Sequence, residues 1–176
     1  MSLNDFDWAG FWEPSDYATQ EYVDEPLTPA LLERVERVLG YRLPSAYIEL
    51  ARYQNGGLPA RTCHPTAEPT SWAKDHISIF GIKGIGETKP FSLIGERGSP
   101  FWMDEWRYPA IGVYFADCPS AGHDMVCLDY SECGPMGEPR VVHVDQEEDY
   151  KVTLVAPDFE TFIRGLVDEG EFDVDD

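Results

Sequence analysis

The chain of 176 residues carries 13 basic and 33 acidic residues, which gives a formal net charge of −20 at pH 7. Its length fits a single domain, and its 43% hydrophobic and 13% aromatic residues can form a core, so global disorder is excluded. A surface this acidic repels phosphate backbones and anionic lipids, which argues strongly against direct binding to nucleic acid or membranes.

The acidic residues are concentrated at the two ends of the chain. Residues 1–26 hold seven acids and no base, and residues 145–176 hold twelve acids against two bases. If the ends meet in space, one strongly acidic region results. The first segment also holds too many aromatic rings for a free tail: Phe6, Trp8, Phe11, Trp12, Tyr17 and Tyr22. We therefore predict an arm over 1–26 packed on one domain over 27–167, and an acidic tail over 168–176.

Two helices are predicted after the arm. Thr28 can cap the first, Pro29 suits its first position and Gly40 ends it. Its apolar residues recur at helical spacing, at Leu31, Leu32, Val35, Val38 and Leu39. The second helix opens at Pro44 and Ser45, and its shared apolar face consists of Tyr47, Leu50 and Ala51. Asn55-Gly56-Gly57 ends it by permitting positive φ, so the pair forms a helical hairpin.

From His76 onward the apolar pattern has a period of two, which predicts five or six antiparallel strands. They lie near residues 76–80, 91–94, 111–115, 125–130, 140–144 and 151–155. Gly81 to Gly86 is predicted to be a turn, because its glycines have the wrong order for a dinucleotide-binding loop. Asp158 caps a closing helix with a stripe at Phe159, Phe162, Ile163, Leu166 and Val167. The fold class is therefore α+β, with the helices segregated from the sheet.

The cysteines and the start of the chain bear on compartment and cofactors. The first residues form no secretory leader and no stretch reaches about 18 apolar residues, so we expect a cytoplasmic protein with reduced thiols. A zinc site can be drawn from Cys118, His123, Cys127, Cys133 and His143. Because these spacings fit no standard ligand pattern, buried thiols are favoured, and we expect no metal and no cofactor.

Ionisable residues gather on neighbouring predicted strands at His123, Asp124, Asp129, His143 and Asp145. The favoured interpretation is structural, in which His123 and Asp124 hydrogen-bond the preceding turn and Asp129 begins the next one. Ser120, His123 and Asp124 are too close in sequence for a relay of three side chains. A hydrolase using His123, Asp124 and Asp129 stays open as a less favoured alternative.

An aromatic cluster between Phe101 and Tyr108 lies beside Asp104 and Glu105, a composition that suits core packing or an anchor against a basic partner. The candidate partner-binding residues are Trp102, Asp104, Glu105, Trp106, Asp117, Asp124 and Asp129.

Several motifs resemble the SUKH superfamily, which includes bacterial immunity proteins and fungal killer-toxin-resistance and cell-wall regulators. They cover roughly residues 28–167 and comprise Leu39-Gly40-Tyr41-Arg42-Leu43-Pro44, Tyr47, Leu50, Asn55-Gly56-Gly57, Pro109-Ala110-Ile111-Gly112, Gly122-His123-Asp124, Leu128-Asp129-Tyr130, Gly137-Glu138-Pro139, Asp158-Phe159 and Phe162. The resemblance implies a twisted antiparallel sheet flanked by an N-terminal helical hairpin and a C-terminal helix. It implies no catalytic set, and for bacterial members it implies binding and neutralising a toxin domain, commonly a nuclease.

We therefore expect a binding protein without catalytic activity, most consistent with an immunity protein against a basic toxin domain. An acidic inhibitor of a basic toxin gains about 10- to 1,000-fold in association rate at low salt. The alternative is a housekeeping regulator or adaptor protein with no toxin partner.

Overall fold

Five antiparallel strands form the main sheet of the computed structural model, which describes residues 2–172. Numbered along the chain, they are β3 (Gly81–Ile82), β4 (Gly112–Asp117), β5 (Asp124–Asp129), β6 (Arg140–Asp145) and β7 (Lys151–Ala156), and they lie in that order in space. A separate two-stranded sheet pairs β1 (Cys63–Pro65) with β2 (His76–Ser78). The α+β class is confirmed.

Three details of the predicted strands are wrong. The 76–80 strand belongs to the small sheet, and residues 91–94 lie in successive turns closed by backbone bonds such as Ser92 N to Lys89 O. The Gly81–Gly86 segment begins with β3, which pairs with the end of β4. Gly81 permits this pairing because a Cβ there would lie 2.5 Å from the Tyr22 ring.

Five helices accompany the sheet in the described part of the chain: α1 (Asp16–Glu21), α2 (Pro29–Leu39), α3 (Ser45–Tyr53), α4 (Ser99–Glu105) and α5 (Phe159–Arg164). Thr28 caps α2 through a 3.1 Å bond from Leu31 N, and Gly40 ends it with φ +81°, as predicted. Val38 is an exception to the predicted apolar stripe, since it is 57% exposed. None of the described helices is long and apolar enough to span a bilayer.

The sheet is covered on both faces. Val113, Phe115, Val126 and Leu128 pack on the side that carries the large core, together with the rings of α3 and α5. The other face is covered by α4 and the segment that follows it, which pack on a second apolar cluster: Tyr114, Met125, Cys127, Val142 and Val144. The sequence pattern did not predict α4, because its seven residues are too short for a helical repeat to show.

The first residues of the described chain pack beside α5. Arg164 Nη2 lies 2.6 Å from Asp5 Oδ1, and Ser2 N donates to Glu160 at 2.5 Å. Leu3, Phe11 and Tyr22 of the arm are buried. Of the predicted tail, residues 168–172 are described and include a short 3₁₀ turn, whereas 173–176 lie outside the described residues.

Replacing Gly57 with Val should lower the free energy of unfolding by about 2 kcal/mol or more. Gly57 has φ +152°, and a Cβ there would lie 2.6 Å from Gln54 Nε2 and 2.9 Å from Trp12 Cε3. Gly40→Ala is the matched control, because Gly40 also has positive φ but nothing within 4 Å. Thermal and urea unfolding measure both variants. A melting temperature for Gly57→Val equal to that of the wild type would contradict the assigned turn.

Candidate functional site

Two hairpin connections lie side by side at one end of the sheet, which we call the loop end. Residues 118–123 join β4 to β5 and residues 146–150 join β6 to β7. They touch directly, because Gln146 N donates to His123 O at 3.0 Å and His123 Nδ1 lies 2.5 Å from Glu147 Oε1. Ser71 N, from the β1–β2 connection, donates to Asp145 Oδ2 at 3.1 Å. The loop end therefore collects residues from three distant stretches of sequence.

A cavity of about 390 Å³ opens at the loop end. Its walls are largely aromatic, with an arginine at the rim and a carboxylate within, and include Tyr17, Phe80, Phe91, Trp102, Arg97 and Asp117. Tyr17 and Phe80 are exposed large hydrophobic residues, so part of this aromatic wall faces solvent. Concave, aromatic surfaces with a few polar groups are typical of binding sites.

A buried ion pair includes Asp117, one of the residues that line this cavity. Lys83 Nζ lies 2.8 Å from both carboxylate oxygens of Asp117 and donates to Arg97 O at 3.0 Å, and Lys83 is fully buried. The Tyr22 hydroxyl donates to Asp117 Oδ2 at 2.8 Å. Burial lowers the pKa of Lys83 below its usual range, and the Asp117 carboxylate opposes that shift. The pair therefore ties β3 and β4 to the arm.

Asp124 is the centre of a second buried polar cluster. His143 Nε2 lies 2.7 Å from Asp124 Oδ2, Ser120 Oγ donates to Asp124 Oδ1, and the Cys118 sulfur lies within 4.8 Å of this carboxylate. Burial raises the pKa of Asp124, but the bonds from His143 and Ser120 outweigh it and the pKa lies below the usual range. Ser120 contacts the carboxylate rather than the imidazole, so this is not the order of a serine hydrolase triad.

The zinc site drawn from the sequence is not assembled as a unit. Cys127 packs on the second face of the sheet, Cys133 is exposed, and His123 is exposed beside Glu147. Cys118 and His143 do come together, but with Asp124 as their third member. The donor atoms of these three residues lie within 4.8 Å of one another.

Six of the seven candidate partner-binding residues belong to the loop end or to α4 beside it. Trp102 is buried against the cavity, and its ring centroid lies 5.3 Å from that of half-buried Trp106. Asp104 and Glu105 are exposed in the last turn of α4. Asp117 and Asp124 are buried and bonded internally, as described above. Trp106, Asp104 and Glu105 are therefore the members whose side chains reach solvent.

Asp129 is the exception, since it lies at the opposite end of β5. Arg140 Nε donates to its carboxylate at 2.8 Å, and Ser131 N donates at 2.9 Å. Burial opposes ionisation of Asp129, but the bonds from Ser131 and Arg140 hold its pKa below the usual range. Its charge is matched within the protein, in a place remote from the other candidates.

Sequence reasoning missed the exposed acids of the second hairpin connection. Glu147, Glu148 and Asp149 are exposed beside half-buried Tyr150, whose hydroxyl donates to Trp106 O at 2.5 Å. In the sequence these residues merge into the acidic C-terminal segment, residues 145–176. With Asp104 and Glu105 they form what we call the acidic rim, in which five acids outnumber the neighbouring exposed bases Arg107 and Lys151.

A model of a known protein family agrees with the sequence motifs and with the α+β fold. The profile of the SMI1 / KNR4 family (SUKH-1) matches residues 26–165, which includes the hairpin α2–α3, the whole main sheet and α5. No curated protein matches the chain significantly. The family is compatible with an immunity-type or a regulator domain. Because the match covers most of the chain, this protein belongs to the SMI1 / KNR4 (SUKH-1) family.

Proposed function

We propose that this protein is a non-catalytic binding protein of the cytoplasm that neutralises a basic toxin domain, of which a nuclease is the best-fitting class. The observation that carries the proposal is the acidic rim, where five exposed acids surround Trp106 and Tyr150 at one end of the sheet. Aromatic anchors within a charged border are typical of protein interfaces with strong hot spots.

Charge complementarity is the physical basis of this proposal. Nuclease domains present Lys and Arg to bind polyanions, so an acidic surface competes for the same contacts. At physiological salt the Debye length is about 8 Å, so only acids close to the contact act strongly. The acidic rim joins carboxylates from two segments that the bond between Tyr150 and Trp106 holds together, whereas exposed acids of the arm such as Asp7 add to the longer-range field.

The polar groups of the loop end support binding rather than hydrolysis. His143 is fully buried and bonded to Asp124, and the Ser120 hydroxyl donates to the same carboxylate. The hydroxyl therefore bonds a carboxylate and not the imidazole that accepts the proton in a serine hydrolase triad. His123 is exposed, but it contacts Glu147 and the edge of the Trp106 ring, so its role here is to join the two hairpin connections.

The test is co-expression with the basic C-terminal domain of a large secreted protein encoded beside this gene. We expect the wild type to restore growth, and Trp106→Ala to lose most of that protection. Met136→Ala is the matched control, because Met136 is 69% exposed in the turn at the opposite end of the sheet. His123→Ala should protect nearly as well as the wild type.

Two results would count against the proposal. A neighbourhood without any such domain, together with stable binding to a cellular protein through the same rim, would favour the regulator or adaptor alternative. Hydrolytic turnover by the purified protein that His123→Ala abolishes would show that the protein is an enzyme.

A further inference from the structure

Three buried side chains with different donor atoms meet behind the cavity wall. Cys118, Asp124 and His143 are each less than one-tenth exposed, and one donor atom from each lies within 4.8 Å of the other two. Cys118 directly follows β4, Asp124 begins β5 and His143 lies in the middle of β6. We infer that these three residues form a site for one divalent transition-metal ion, with Zn²⁺ as the best-fitting ion.

The donor set and its charge favour Zn²⁺ over harder cations. Thiolate sulfur and imidazole nitrogen suit zinc, whereas magnesium and calcium prefer oxygen ligands. A Cys118 thiolate and the Asp124 carboxylate together balance the charge of a divalent ion, and His143 binds as a neutral ring. A buried site that is neutral overall avoids the large cost of placing an unpaired charge in the protein interior.

An independent observation lies next to this cluster. Among the described residues, His143 Nδ1, Asp145 Oδ1 and Thr153 Oγ1 are buried side-chain atoms without a hydrogen-bond partner. His143 and Thr153 are paired directly across β6 and β7, so their side chains leave the same face of the sheet. Buried polar groups without partners are rare, and three at one place call for an explanation.

Metal binding at His143 Nε2 supplies part of that explanation. With His143 Nε2 protonated and donating to Asp124, Nδ1 is an acceptor that meets no donor. When Nε2 binds a metal ion, the ring proton sits on Nδ1. Nδ1 and the Thr153 hydroxyl are not hydrogen-bonded to each other here, so a shift of one side chain is needed for the hydroxyl to accept this proton. Histidine ligands of metal ions typically donate their second ring nitrogen to such a partner.

An ion can reach the site from solvent, and the protons displaced by metal binding can be accounted for. Cys118 forms part of the cavity wall, so an ion can approach its sulfur from the loop end. The thiol must lose its proton to solvent when the metal–sulfur bond forms, while the imidazole proton moves within the ring. Because the thiol releases its proton when it binds the metal ion, metal affinity should increase as pH rises.

The experiment uses the full chain dialysed against chelator and then titrated with Zn²⁺ and, separately, with Co²⁺. We expect one ion per chain by calorimetry, a higher melting temperature with Zn²⁺, and a sulfur-to-cobalt charge-transfer band with Co²⁺. Cys118→Ser should remove that band, and Asp124→Asn or His143→Gln should weaken Zn²⁺ binding by at least about 100-fold. Cys127→Ser is the matched control, since Cys127 is equally buried but packs on the second face.

The wild type alone can decide the question if the variants fail to fold. A chelator-treated wild type that binds no Zn²⁺, or that binds Co²⁺ without a thiolate band, overturns the inference. A band that persists in Cys118→Ser also overturns it. Binding of several weak ions that Cys118→Ser leaves unchanged would assign them to the surface acids.

Discussion

Replacing Lys83 with Met is expected to lower the free energy of unfolding by about 3–5 kcal/mol, the usual cost of removing one partner from a buried ion pair. Lys83 is fully buried and holds both oxygens of Asp117 at 2.8 Å. In the variant, the Tyr22 hydroxyl would remain on a carboxylate that has lost its countercharge. Urea unfolding followed by tryptophan fluorescence measures the loss.

The matched control is Arg37→Met, which breaks an ion pair of similar length to Glu33. That pair joins residues four apart on α2, and its side chains are 70% and 74% exposed, so the expected loss is about 0.3–0.5 kcal/mol. Adding Asp117→Asn to Lys83→Met should recover part of the stability, because it removes the unpaired charge. If Lys83→Met were no more harmful than Arg37→Met, the pair would not hold β3, β4 and the arm together.

The sequence was most informative where a local rule determines the backbone. Thr28, Pro29 and Gly40 mark the limits of α2, and Asp158 caps α5 through a bond from Thr161 N at 2.8 Å. The period of two also holds in β5, where Met125 lies on the face opposite to Val126 and Leu128. These features depend on a few adjacent residues, so one sequence was sufficient to predict them.

Features that depend on distant contacts could not be predicted in this way. Strand β3 has only two residues, and its pairing with β4 depends on residues more than thirty positions away. Residues 91–94 look apolar enough for a strand, but Leu93 and Ile94 donate to Gly84 O and Gly86 O in a loop. A periodic pattern shows which residues are buried, and it does not show which partner buries them.

The difference between adjacent residues and distant contacts also explains which parts of the candidate site the sequence could indicate. Trp106, Asp104 and Glu105 became candidates for partner binding because they are close together in the sequence. Their neighbours at Glu147, Glu148 and Asp149 are more than forty positions away and reach them through the bond between Tyr150 and Trp106. Asp129 shares β5 with Asp124, but a strand of six residues places them at opposite ends of the sheet.

The acidic rim should control how fast the proposed toxin domain binds. We expect the association rate to fall about 10- to 1,000-fold between low and physiological salt, while the dissociation rate changes little. The reason is that long-range attraction acts before contact, whereas dissociation depends on desolvated contacts such as those of Trp106. Biolayer interferometry with the immobilised partner, repeated over a series of salt concentrations, measures the association and dissociation rates separately.

Converting Asp104 and Glu105 to Lys tests whether position matters in addition to net charge. Both residues are exposed, so the double change should leave the fold intact, slow association by about tenfold and flatten its salt dependence. The matched control converts Glu132 and Glu138 to Lys, which alters net charge equally but in the exposed turn at the opposite end of the sheet. Because charges farther away than about 8 Å are screened at physiological salt, the control should bind nearly as fast as the wild type. Equal slowing in the two double variants would mean that only total charge matters. Binding that changes neither with salt nor in either double variant would place the interface elsewhere on the molecule.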